Sequence, residues 1–245
     1  MGIALGTSEK NAGERLKTYV EGLDERISGG IRKGHAILLA GPPGAMKSSI
    51  ALNMAYNNAK KDGLKTLYIS VEEGRESLTT SMKNLGMTDV EDPRMLIVDL
   101  GRLRMEHPDA DAGRDWFKII KEYLRKKVDT EGIRLVIIDS LTAIYALTDL
   151  ENPRQELFHF FTFLKRLGVT TILISETHGG KQDFGTNNEN YLADGTILLK
   201  FVDVGETDVQ LRLRVVKMRH TKIYHGDLTL LFRNGQFIVT TPITE

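Results

Sequence analysis

Five short apolar runs, separated by segments of helical length, restrict the fold of this chain more than any other feature. They read HAILLA (35–40), KTLYISV (65–71), MLIVDL (95–100), RLVIID (134–139) and VTTILIS (169–175). Each is apolar almost throughout, as strands covered on both faces must be. Helical patterns fill the gaps: Lys47 to Lys61, Arg75 to Leu85, Arg114 to Val128 and Arg154 to Leu167. The last carries Leu157, Phe158, Phe161, Leu164 and Leu167 in steps of three and four, widened by Phe160 and Phe163, which gives it a broad face to bury. Strand–helix alternation of this kind predicts a parallel sheet with helices on both sides. From Thr196 the pattern changes. TILLKFV, VQLRLRVVK, DLTLLF and QFIVT follow one another through short links such as Arg233-Asn234-Gly235, and read as antiparallel hairpins that extend the sheet. The expectation is an α/β fold in three α/β/α layers, one domain over residues 18–245 behind a loose tail of residues 1–17.

Composition narrows the function classes. At 245 residues the chain can bury a large core. Lysine plus arginine and aspartate plus glutamate both number 33, so no whole-protein field draws it to nucleic acid or an anionic membrane. Cysteine is absent, which removes disulfides, thiolate metal sites and thiol nucleophiles and fits a reducing, cytoplasmic setting. No apolar run approaches the roughly 18 residues of a membrane span. The start, MGIALGTSEK, lacks a basic region followed by an apolar core, and Gly6 stands where a myristoylation signal wants Ser or Thr.

Directly after the first strand comes Gly41-Pro42-Pro43-Gly44-Ala45-Met46-Lys47-Ser48-Ser49, opening the first helix. This is the strand–loop–helix setting of the phosphate-binding G-x-x-x-x-G-K-[ST] loop. Backbone N–H groups around Gly44 to Ser48 would cradle phosphates at the helix start. Lys47 would reach the outer phosphates, and Ser48 would offer its hydroxyl to Mg²⁺. Met46 departs from the pattern, standing where the second glycine belongs. At positive φ a residue with a side chain costs roughly 1–2 kcal/mol, a load a domain of this size can carry. Three further elements fit around the loop. RLVIIDS brings Asp139 to a strand end, as a carboxylate for the Mg²⁺ shell. Glu72 and Glu73 follow YISV at the C-terminal edge, where parallel sheets place their ligands. One of the two could polarise the water that attacks a γ-phosphate. VVKMRHT sets Lys217 and Arg219 on one side of a strand by alternation.

Taken in order, VEGLDERISGGI, the phosphate loop, YISVEE, VIIDS, ILISET, NYLADGTILLK and KMRHT resemble the KaiC-like branch of the RecA/RadA ATPases, from about Thr18 to the end of the chain. The family's opening signature corresponds to Gly22, Leu23, Asp24, Gly29 and Gly30. The resemblance implies ATP and Mg²⁺ as ligands and ATP hydrolysis as the activity. It puts Glu72 in the place of the catalytic glutamate, with Glu73 as second member of the acidic pair, and Ser175-Glu176 at the sensor strand end. It implies that Lys217 and Arg219 reach across a subunit interface of a homohexameric ring. Clock-type members carry an autophosphorylated Ser-Thr pair where this chain has Asn190-Tyr191, so autokinase activity is not implied.

Two other readings stand beside the ATPase. Met46 suits a nucleotide-switched scaffold with very slow hydrolysis. A DNA-recombination accessory is the other, with the stretch HGGKQDFGTNNEN (178–190) as its DNA loop; its single lysine against Asp183 and Glu189 makes that a poor phosphate surface. A calcium loop at Asp109-x-Asp111-x-Gly113 fails on spacing, with Ile120 where the bidentate Glu belongs.

Overall fold

The computed structural model describes residues 14–102, 116–148, 152–177 and 187–242. The calcium-like stretch at 109–113 and most of the glycine- and asparagine-rich stretch lie outside the described residues.

Twelve strands occur among the described residues. Ten form one sheet, in the order β2 (Val20–Glu21), β12 (Gln236–Thr240), β11 (Asp227–Arg233), β10 (Asp208–Met218), β9 (Gly195–Val204), β4 (Ala36–Gly41), β8 (Thr170–Glu176), β7 (Leu135–Asp139), β5 (Thr66–Ser70) and β6 (Met95–Asp99). Strands β9, β4, β8, β7, β5 and β6 run parallel, and β10 and β11 pair antiparallel at one side. The five apolar runs are parallel strands, β6 at the sheet's edge and the other four inside it, and the C-terminal runs are the hairpins, as the sequence predicts.

Side-chain alternation shows why the strands are apolar throughout. Ile37, Leu39, Tyr68, Leu135 and Ile137 enter one core, with Ile50 and Met54 of α1 (Lys47–Asp62) and Leu78 and Met82 of α2 (Arg75–Asn84). Leu38, Ala40, Leu67, Ile69, Val136 and Ile138 enter the other, with α3 (Trp116–Glu131), α4 (Leu141–Leu147) and α5 (Pro153–Leu167). Both faces are covered, which gives the three layers.

Three details differ from the sequence reading. Arg15 and Leu16, assigned there to the tail, form β1 and pair with Ile31–Arg32 (β3), and Leu16 is buried. A two-residue strand gives too short a pattern to register. On α5 the buried stripe is Leu157, Phe160, Phe161 and Leu164, while Phe158 is 54% exposed. It stands about 100° round the helix from Leu157. Helix α4 was not foreseen, because a seven-residue apolar run does not distinguish helix from strand. Its start is marked by Ser140, whose hydroxyl accepts the Ala143 N–H at 3.1 Å.

Candidate active site

The parallel strands end together at one edge, and the chemistry gathers there. Gly41 pairs with Glu176 and Ser70 with Asp139, and the β7–β8 register sets the first pair two residues further out along this edge than the second. The Val71 N–H donates to the Asp139 carbonyl at 2.8 Å, which anchors the turn carrying Glu72 and Glu73 beside Asp139.

The loop between β4 and α1 has the shape its sequence asks for. Gly41 is needed for space: a Cβ there would lie 2.9 Å from both Cβ and the carbonyl oxygen of Leu199 on β9. Gly44 is needed for conformation, with φ 79° and nothing within 4 Å of an added Cβ. Met46 adopts the left-handed conformation itself, at φ 61° and ψ 24°, and caps α1. Its carbonyl accepts the Ile50 N–H at 3.0 Å, and its thioether packs, partly buried, against the core. The turn a glycine would make is therefore made, with its strain set against packing. The first turn of α1 has N–H groups that no intrahelical acceptor can satisfy, all directed at the loop.

Lys47 is only 8% exposed and donates to the Pro42 carbonyl at 2.9 Å. Burial lowers its pKa, and the carboxylates of Glu176, Asp139 and Glu72 oppose that shift. The site thus has one buried cation facing three acids. Asp139 is pushed above the ordinary aspartate range by burial, against hydrogen bonds from Ser48 and Tyr68. Glu72 is raised by desolvation of its carboxyl and by the charges of Glu176 and Asp139, although its outer side meets solvent. Excess negative charge of this kind favours an added cation. Ser48 and Asp139 present adjacent oxygens, and a magnesium ion typically takes one or two such protein ligands and completes its shell with phosphates and water. No group of three or more His, Cys, Asp or Glu among the described residues is placed to hold a metal alone.

The two glutamates are not equivalent. Glu72 faces the Ser140 hydroxyl, 3.5 Å from its Oε2. The Glu73 carboxylate accepts from Ser77 on α2 at 2.5 Å, and its carbonyl accepts from the Ser70 hydroxyl at 2.6 Å. Glu73 is tied into the turn, and Glu72 is the one left facing the loop. Sequence reasoning missed Tyr68, whose phenol donates to Asp139 Oδ2. A phenol in an otherwise apolar inner strand needs a buried acceptor, and that was the available signal.

Lys217 and Arg219 are not part of this gathering. A register shift between Val215 and Lys217 interrupts the alternation, and Arg219 lies just beyond β10. Both reach the short helix α6 (Glu189–Leu192): Lys217 Nζ donates to the Asn190 carbonyl at 2.6 Å, and Arg219 Nη2 to the Tyr191 carbonyl at 3.3 Å. Arg219 also pairs with Asp194 at 3.0 Å, as Lys165 does at 2.9 Å. The Arg219 N–H bonds the Asp194 carbonyl, and the Asp194 N–H bonds the Ala36 carbonyl. Arg219 is thus level with the start of β4, five residues and about 16 Å from Gly41 along the strand. The two cations lie at the opposite edge of the sheet from their own chain's phosphate loop.

Known proteins give the arrangement its context. A UPF0273 protein of Saccharolobus solfataricus is 28% identical over 219 residues, covering 86% of this chain and 77% of that protein. The circadian clock oscillator protein KaiC of Picosynechococcus sp. is 26% identical over 232 residues, which take in 90% of this chain but 43% of the clock protein. This chain therefore spans less than half the length of that relative. The crystal structure of a KaiC-like protein from the hyperthermophilic archaeon Pyrococcus horikoshii matches with a TM-score of 0.78 at 24% identity, over 93% of this chain and 99% of that one. No helix among the described residues is long and apolar enough to cross a membrane. The family model for the KaiC ATPase matches residues 16–244, and the chain belongs to that family.

Proposed function

We propose that the protein binds ATP with Mg²⁺ at Gly41–Ser49 and hydrolyses it at the subunit interfaces of a homo-oligomeric ring, a hexamer on the family's pattern. Backbone N–H groups of the loop hold the phosphates, and Lys47 sits against the outer ones. Ser48 and Asp139 would hold the ion, which when bound would neutralise charge on the phosphates. Glu72 accepts a proton from the attacking water as its oxygen bonds to the γ-phosphorus and the bond to the β–γ bridging oxygen breaks. Tyr68 keeps Asp139 oriented. Glu73 braces the turn.

The observation that carries the interface is the position of Lys217 and Arg219. They cannot reach their own loop, yet they stand at a sheet edge beside Tyr191, which is 67% exposed. A head-to-tail neighbour would bring this edge to the next subunit's phosphates. Charge neutralisation by such a finger supplies on the order of 10³–10⁵ in rate. The test is specific activity against protein concentration, with the assembly state followed by sedimentation. Activity per subunit should rise as the ring forms. A free protomer with full activity would refute the reading. A slow nucleotide switch remains the second reading because Met46 carries strain in the loop; turnover of the assembled ring separates the two.

A further inference from the structure

Helix α4 starts at the corner formed by Asp139 and Ser140 and runs seven residues, about 10 Å, from the nucleotide edge. Near its far end the Tyr145 phenol donates to Glu189 Oε1 at 2.7 Å. Glu189 is fully buried, and its second oxygen accepts the Asn187 N–H at 3.3 Å. Burial, together with the neighbouring Glu189 charge, holds the Tyr145 phenol protonated far above its ordinary range. The donor is therefore present at any working pH. A carboxylate this deeply buried is tolerated only with fixed partners. Glu189 is the first residue of α6, and the next two carbonyls of α6 are the ones that hold Lys217 and Arg219. Two short helices and one charge-assisted hydrogen bond between them thus join the Asp139 corner to both cations.

We propose that Tyr145 and Glu189 are positioning residues that couple a subunit's own nucleotide corner to the finger it lends its neighbour. A shift of α4 when Asp139 engages a nucleotide-bound cation passes through Tyr145 to α6, and so sets where Asn190 and Tyr191 hold Lys217 and Arg219. Occupancy of one site then tunes hydrolysis in the next around the ring. This rests on the trans reading given above.

Tyr145→Phe removes the hydroxyl alone. Turnover of the pure variant ring should fall about threefold to tenfold with ATP affinity unchanged, within the range by which residues between coupled sites alter coupling. The decisive measurement titrates the variant with excess Glu72→Gln subunits, which are inactive but carry an intact bracket and finger. Each Tyr145→Phe site then faces a good finger, and activity per Tyr145→Phe subunit should climb back towards wild type. A general structural defect would give no such rescue. Arg219→Ala titrated in the same way is the control. If Arg219→Ala is rescued and Tyr145→Phe is not, or if Tyr145→Phe is fully active alone, the coupling is wrong and the trans reading stands. If Arg219→Ala is not rescued in exchanging rings, the trans reading itself fails. Should Tyr145→Phe not fold, Glu189→Gln, which keeps the shape, carries the same test.

Discussion

Replacing Met46 by glycine separates strain from packing in the phosphate loop. Met46 adopts φ 61° at the N-cap of α1, so the folded chain carries its left-handed strain. That strain is worth roughly 1–2 kcal/mol. Against it stands the partly buried thioether; full burial of such a side chain contributes about 1.5–3 kcal/mol, and half of that is about 1. Glycine also has more unfolded freedom to lose, roughly 0.5–1 kcal/mol. Met46→Gly should therefore change stability by no more than about 1 kcal/mol. Met46→Ala keeps the strain, loses the packing and should destabilise by about 1 kcal/mol. Met46→Gly keeps the turn and every backbone donor of the loop, so its ATP affinity should stay within about threefold of wild type, a difference of about 0.7 kcal/mol. Urea denaturation reads the stabilities and calorimetry the affinity. Absence of ATP binding in the wild type with binding restored in Met46→Gly would overturn this, because the strain would then gate the site.

Four other outcomes follow from the geometry. Glu72→Gln should abolish most turnover while retaining ATP, and Glu73→Gln should lose less, as single-turnover and binding measurements will show; equal losses would remove the distinction drawn between them. Tyr68→Phe should weaken magnesium affinity about 10–100-fold without unfolding the protein, measured as a rise in the metal concentration for half-maximal rate. Gly41→Ala should destabilise by about 1–3 kcal/mol in thermal or urea unfolding, because β9 must move to admit the methyl group. Burial and the Arg219 charge, with Lys165 adding and Asp194 opposing, bring the Lys217 pKa down to about 8. Its charge is lost as pH rises through that value, so kcat/KM should fall on the alkaline side of about 8. Lys217→Arg should remove that limb, since a guanidinium stays charged.

Most of the fold could be read from pattern because each inner strand feeds both cores, so its residues are apolar regardless of direction. Ile37 and Leu38 on β4 serve opposite faces, and no alternation was needed to place them. The phosphate loop was legible for a different reason: a loop of this kind offers backbone N–H groups, so the sequence need only permit the turn, and Met46 permits it at a cost. What could not be read was every relation between distant segments. Nothing near Tyr68 names Asp139, and nothing near Tyr145 names Glu189; these contacts exist only once the sheet order and α4 are known. The asymmetry of Glu72 and Glu73 depended on Ser77 one turn into α2. Alternation grouped Lys217 with Arg219, but a bulge precedes Lys217 and Arg219 lies beyond β10, so the α6 carbonyls rather than a regular strand hold the two side chains.

In the proposed ring each active site would take its acid-facing half from one subunit and its cations from another. This is tested most directly by mixing two inactive variants, Arg219→Ala and Glu72→Gln, under conditions where subunits exchange, and measuring phosphate release. Interfaces pairing an intact Glu72 with an intact Arg219 form only in mixed rings, so activity should appear in the mixture and in neither parent. Demonstrated exchange with no recovery of activity would contradict the account.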